Sequence, residues 1–297
     1  MTIEAVAPGK MILIGEYAVL HGAPALVSAV NREARVCLEQ CGASGVRVDA
    51  PDVGLEDSAL FLRGGIARTD DEKDLPKGLK VVAAVLEDFA AQLEPRLSNG
   101  GLRISIDTSG FVQEKNGFKL GLGSSAAVTV AATRAMLAYL NLKSEENETM
   151  ALFRRAHRIH QKMQGGIGSG LDIAASVFGG LVAFDSVDEG QAVSPRKLES
   201  IQWPAMASVF VGISASTPDL VRKVNTFRAA DPDGFADLMA EMGVVSRRVI
   251  AASQQDDLRA IRQGCMSYCG LMQRLGEVSG ADIVSDAHRR LRDLSVD

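Results

Sequence analysis

With 297 residues, of which 46% are hydrophobic and 23% charged, the chain can bury one large core or two modest ones. A net charge of −5 gives no basic surface for nucleic acid, so an anionic ligand has to be met by a local cluster of donors. Residues 1–6 lack the basic-then-apolar order of a signal peptide, and no apolar run reaches the length of a membrane span; a cytoplasmic protein without membrane or nucleic-acid partners is expected. Cys37/Cys41 and Cys265/Cys269 are spaced i,i+4, which suits neither a zinc ribbon nor a redox pair, and they read as reduced thiols.

In chain order, residues 10–17 and 25–38 are rich in β-favouring side chains around the turn His21-Gly22-Ala23-Pro24, and predict strand, turn, strand. Residues 46–50 predict a further short strand, 70–80 an exposed charged loop, 79–93 a helix, and 102–107 a half-buried strand of period two. A glycine-rich stretch then opens onto a helix over 126–139, and a second helix follows over 144–163 with Ser144 as its N-cap. Residues 173–184 pass from helix through Gly179-Gly180 into a strand, and the polar, proline-punctuated segment 185–204 marks a domain boundary. Beyond it a strand over 207–213 and helices over 218–227, 234–253, 256–277 and 281–294 are expected. Strands with interleaved helices, followed by helices with few strands, suggest an α+β fold.

The most informative stretch is Lys119-Leu120-Gly121-Leu122-Gly123-Ser124-Ser125-Ala126. Glycines at 121 and 123 allow a turn in which successive N–H groups face one anion, and the loop leads onto a positive helix N-terminus. The spacing is neither a Walker loop nor a dinucleotide fingerprint. Two other segments accompany it. The first is Ala7-Pro8-Gly9-Lys10 with Gly15-Glu16-Tyr17-Ala18-Val19-Leu20-His21-Gly22; the second is Gly165-Gly166-Ile167-Gly168-Ser169-Gly170-Leu171-Asp172. Together the three resemble the GHMP kinases, and within them look most like the phosphomevalonate kinases, a likeness to which Ser214-Ala215-Ser216-Thr217-Pro218 also contributes.

The resemblance implies a two-domain GHMP kinase fold: an N-terminal domain like ribosomal protein S5 domain 2 over 1–190, and a ferredoxin-like domain over 200–297. It implies ATP as co-substrate and Mg²⁺ as cofactor, a small anionic alcohol or phosphate as acceptor, and allows a homodimer. The activity implied is transfer from ATP to 5-phosphomevalonate, giving the diphosphate. By the same resemblance Asp172 and Lys10 form the catalytic pair. Lys119, Gly121, Leu122, Gly123, Ser124, Ser125 and Ala126 hold the ATP phosphates, and a serine, Ser125 with Ser124 as the alternate, also ligates the metal. Glu16, Tyr17, His21, Ser169, Gly170, Ser214, Ser216 and Thr217 face the acceptor.

Two departures from the family pattern stand out. The third glycine-rich motif of these kinases does not occur before Asp297, so the second domain is expected to be incomplete. Mevalonate kinases carry a metal-binding glutamate about three helical turns before the aspartate, whereas residues 156–170 contain no Asp or Glu and offer His160, Gln161 and Gln164. That weighs toward phosphomevalonate as acceptor. His157 and His160, set among Arg154, Arg155, Arg158 and Lys162, read as part of a solvated basic helix face. Mevalonate kinase and a silent nucleotide-binding module are the alternatives.

Overall fold

The computed structural model describes residues 2–70, 74–98, 100–113, 115–144, 147–166, 168–185, 194–199, 206–211 and 217–294. It divides into two compact units, one of Met1–Met11 and Ala29–Gly180, the other of Ile12–Ser28 and Leu181–Asp297.

In the first unit, strands β1 (Thr2–Ile14) and β2 (Ala25–Cys41) pair with each other, and both strands also run into the second unit. β3 (Val46–Ala50), β4 (Leu55–Arg63) and β5 (Ile66–Arg68) follow, then helices α1 (Lys80–Asp88) and α2 (Ala90–Leu97) and strand β6 (Gly101–Asp107). The strand order is β5-β4-β3-β6-β2. β6 lies antiparallel to β2, with Val36 opposite Ile106, and parallel to β3, with Val46 opposite Leu102. Alternate residues of β3 are buried, Val46, Val48 and Ala50, so one face of the strand is core. Helices α3 (Ser124–Leu140), α4 (Glu148–Met163) and α5 (Leu171–Phe178) pack on one another. α3 is built of small residues and is buried on nearly every side. Its buried threonines are satisfied within the helix, Thr129 Oγ1 donating to the Ser125 carbonyl at 2.8 Å and Thr133 Oγ1 to that of Thr129 at 2.7 Å.

In the second unit, the start of β2 pairs with β7 (Leu181–Asp185), which pairs with β8 (Ser194–Leu198). Helices α6 (Thr217–Ala230), α7 (Pro232–Gln254), α8 (Leu258–Ser279) and α9 (Asp286–Leu294) complete it. Ile14, Leu26, Phe235, Leu238, Met242, Val249, Ile261 and Leu275 belong to one buried cluster.

Several expectations change. The helix expected over 79–93 is two helices broken at Phe89, whose ring is fully buried while its N–H lies 3.2–3.3 Å from the Leu86 and Val85 carbonyls. β4 and β5 are strands beyond those expected, and in β4 the burial pattern does not alternate and Asp57 holds φ 44°. The N-cap of α4 is Asn147, which accepts from the N–H groups of Thr149 and Met150, and not Ser144. Strand β8 lies inside the polar segment expected to be a boundary, with Pro195 among its residues. Residues 206–211 carry no strand, and 212–213 lie outside the described residues. All four cysteines are free thiols.

Candidate active site

The serine loop is fastened by backbone both to β1 and to the turn Ser109–Phe111. Lys10 N–H donates to the Leu122 carbonyl at 2.8 Å, and Leu120 N–H to the Phe111 carbonyl at 2.9 Å. Gly9 permits this approach: a Cβ there would lie 2.6 Å from the Leu122 carbonyl oxygen and equally close to the Phe111 ring. Gly123, at φ 77°, is the N-cap residue of α3 and supplies no side chain to the helix's first N–H groups. A Cβ on it would come within 2.9 Å of Lys10 Cγ, so the lysine stem lies across the start of α3.

Lys10 ends on Asp172. Its Nζ is 3.2 Å from Asp172 Oδ1, with the lysine side chain 15% and the aspartate 37% exposed. Asp172 sits in the first turn of α5, and the N-cap position is Gly170, at φ 84°. The carboxylate therefore does not cap its own helix. It is held by an ammonium and by the positive end of α5, with one side still open to solvent. Ser169 Oγ accepts from Leu171 N–H at 3.3 Å and so is turned toward the helix start.

α4 supplies what sequence reasoning missed. His160 is buried, and its Nε2 lies 3.2 Å from Ser125 Oγ. His157 stacks on Phe153 at 5.7 Å between centroids and lies under Gly170, where a Cβ would meet its ring at 2.8 Å. Burial pushes both imidazoles below their usual pKa. At His160 the Asp172 charge opposes this and His157 adds to it; at His157 a backbone hydrogen bond with Gly168 opposes it. The two histidines are thus not a solvated basic face. The basic residues beside them are answered by α1: Arg155 and Arg158 pair with Asp88 at 2.6 and 2.9 Å, and Lys162 with Glu87 at 3.0 Å. A run of arginines and lysines around i,i+3 histidines hid the fact that positions 152, 153, 156, 159 and 160 form the buried stripe.

The first unit therefore brings together Lys10, Asp172, Gly121, Leu122, Gly123, Ser124, Ser125 and His160, with Ala126 buried behind them. Lys119 is exposed at the end of a short bridge to Val112. Glu16, Tyr17 and His21 belong to the second unit. There Tyr17 holds φ 59°, a strained value for a tyrosine, and Tyr268 donates to the Glu16 carbonyl at 2.7 Å. Burial and the Glu16 charge raise the Tyr17 phenol; burial, then Arg228, lowers His21. Ser214 and Ser216 lie outside the described residues, and Thr217 opens α6.

The donor set suits a nucleotide and its cation. Free N–H groups at α3, a glycine turn and an ammonium face one region, as phosphates require. Among the described residues no group of three or more His, Cys, Asp or Glu side chains converges into a metal cage. Mg²⁺ held by phosphates and water needs few protein oxygens, and Ser125 Oγ offers one.

Residues 80–180, which hold the serine loop, His160 and Asp172, match the family model for the GHMP kinases N terminal domain. Over 292 residues the chain is 28% identical to a mevalonate kinase of Thermococcus gammatolerans, covering 93% of this chain and 79% of that one. The Lin0012 protein from Listeria innocua has a TM-score of 0.77 at 21% identity, covering 96% of this chain and 82% of that one. Streptococcus pneumoniae phosphomevalonate kinase, in complex with phosphomevalonate and AMPPNP, has a TM-score of 0.66 at 18% identity, covering 92% and 80%. The fold is that of the GHMP kinase structures, and residues 80–180 match the N-terminal domain of that family. The relative from Thermococcus gammatolerans, matched along most of the chain, is a mevalonate kinase and so does not bear out the expected likeness to the phosphomevalonate kinases. Among the described residues no helix is long and apolar enough to cross a membrane.

Proposed function

We propose that this chain transfers the γ-phosphoryl group of ATP to the hydroxyl of mevalonate. The observation that carries the transfer is the Lys10–Asp172 pair, 3.2 Å apart, with the lysine stem lying across the start of the serine-loop helix. The choice of mevalonate is supported by the relative from Thermococcus gammatolerans. Phosphoryl transfer depends on positioning and charge neutralisation, and the site has parts for both. The α3 N–H groups, Gly121–Ser125 and Lys119 bind the phosphates. Lys10 neutralises charge between phosphate and Asp172. The acceptor oxygen attacks the γ-phosphorus, the bond to ADP breaks, and Asp172 takes or orients the hydroxyl proton. Ser125 would hold Mg²⁺, which supplies charge neutralisation at the phosphates. The two-domain assignment, 1–190 and 200–297, is part of this reading.

The second reading is phosphomevalonate as acceptor. It is favoured by the absence of any Asp or Glu at 156–170, where mevalonate kinases have a glutamate, and by the hydroxyl-rich Ser214-Ala215-Ser216-Thr217. A coupled ADP-release assay of the purified chain with each acceptor decides. Preference for mevalonate in kcat/KM by more than tenfold is expected. The reverse preference selects the second reading, and ATP binding without transfer to either would make the chain a silent nucleotide-binding module.

A further inference from the structure

We infer that His160 is a positioning residue for Ser125: its Nε2 accepts a hydrogen bond from the Ser125 hydroxyl, leaving the oxygen lone pairs to a nucleotide-bound cation. The inference rests on the kinase reading and adds to it how a metal-binding serine is held in a site without the expected carboxylate.

A serine hydroxyl has one proton and two lone pairs, so a single hydrogen bond decides what it offers next. The partner the structure gives Ser125 Oγ is His160 Nε2, at 3.2 Å. If the imidazole donated, the serine proton would be free and Ser125 would be one more donor to phosphate. If the imidazole accepts, Ser125 presents oxygen only, as a hard cation prefers. Donors are already plentiful here: the α3 N–H groups, the glycine turn and Lys10. Oxygen ligands are scarce, since the described residues form no acidic cage and the stretch 156–170 has no carboxylate.

The imidazole is also held in place. His160 is 6% exposed, on the face of α4 that buries Leu152, Phe153, Ala156 and Ile159. Ser125 is held by α3, where its carbonyl accepts from Thr129 Oγ1 at 2.8 Å. Two packed helices thus fix the hydroxyl's rotation before any ligand arrives, which is how a neighbouring group raises affinity without touching the ligand.

The test is calorimetric binding of ATP with excess Mg²⁺ and of ATP with EDTA, in the wild type, His160→Met, His160→Gln, Ser125→Ala and Ser125→Ala/His160→Met. His160→Met should weaken Mg²⁺–ATP binding by about tenfold, one hydrogen bond's worth, and metal-free ATP by less than about twofold. His160→Gln should restore most of the loss through its Oε1 acceptor. The double variant should be no weaker than Ser125→Ala alone. Equal losses for both forms of ATP, or additive losses in the double variant, would overturn the inference. If His160→Met does not fold, ¹⁵N chemical shifts of the wild-type imidazole decide: the Nδ1–H tautomer supports the inference and Nε2–H overturns it. The shifts need no ligand, so a chain that binds no ATP would sink the kinase reading while His160 is still tested.

Discussion

Two helices meet Lys10, and they start alike and end up with opposite chemistry. α3 and α5 each have a left-handed glycine as N-cap, Gly123 and Gly170, which can offer no side-chain cap, although Ser169 Oγ accepts the Leu171 N–H of α5. α4, α7 and α8 are capped in the ordinary way by Asn147, Asp231 and Asp257. The difference between α3 and α5 lies in the next two residues. α3 begins Ser124-Ser125, which are neutral, so its positive end is left uncompensated and available to an anion. α5 begins Leu171-Asp172 and carries its own negative charge in the first turn, so what it attracts is the Lys10 ammonium. On the kinase proposal, one lysine spanning both starts puts the end of α3 that would bind phosphate beside the carboxylate that would accept the proton.

The largest expected effect comes from neutralising the second start. Asp172→Asn keeps shape and removes the charge, so kcat should fall on the order of 10²-fold or more, the scale of losing a positioned proton acceptor, with ATP affinity nearly unchanged. Steady-state kinetics alongside calorimetric ATP binding checks it. Near-normal turnover would mean that α5 only anchors Lys10.

Making the first start resemble the second is the sharper test. Ser124→Asp adds a carboxylate to the first turn of α3, which should keep or raise folding stability, by roughly 0.3–1 kcal/mol. The same carboxylate opposes phosphate, and ATP affinity should fall by more than about tenfold, against one charge at short range. A stabilised variant that binds ATP normally would show that α3's positive end is not where the phosphates go.

Much of this comparison is legible in the sequence because glycine, lysine and aspartate announce it. Gly9, Gly123 and Gly170 are placed where a Cβ would clash, Gly121 holds a left-handed φ of 74°, and Lys10 and Asp172 stand beside them. His160 stands in the region that matches the metal-binding glutamate of mevalonate kinases, but its burial against Ser125 was not legible. Its role depends on which side of α4 is buried, and that depends on Glu87 and Asp88 of α1 drawing Arg155, Arg158 and Lys162 outward. Those partners are about 70 residues away in sequence (67 and 70 for the Asp88 pairs, 75 for Glu87), beyond any local pattern. The same limit applies to the fold. β6 and β3 follow from alternation, but the break at Phe89 and the kink at Asp57 depend on tertiary partners, Arg155 over the Phe89 ring at 3.8 Å and Asp49 Oδ1 accepting the Asp57 N–H at 2.8 Å.

An ordinary cap gives the control. Asn147→Ala removes the acceptor for the Thr149 and Met150 N–H groups at the start of α4 and should cost about 1 kcal/mol of stability. Neither Kd for ATP nor kcat should change, because the remaining turns of α4 keep His160 in its packing. Urea denaturation and ATP titration of one preparation measure both. A loss of ATP affinity comparable to that of Ser124→Asp would mean that the capped and uncapped starts do not differ in function.

The smallest effect concerns pH. His21, His157 and His160 all have lowered pKa values, with burial the largest cause in each. At pH 8 folded and unfolded chains are both neutral at these rings, so they contribute nothing. As the pH falls below about 6.5 the unfolded chain takes up protons that the folded chain refuses, and stability declines until the folded rings titrate too. The carboxylates with lowered pKa, Asp49, Asp107 and Asp286, act in a separate window below their ordinary value of 3.8, where protonation costs their native hydrogen bonds. A drop in the urea midpoint between pH 7.5 and 5.5 is therefore assigned to histidine. His21 stacks edge-on against Phe235 at 4.8 Å, so His21→Phe keeps an aromatic ring there and removes one titrating group. The variant should lose less stability than the wild type between those two pH values, while an identical drop in both would remove His21 from the account and leave the pair on α4.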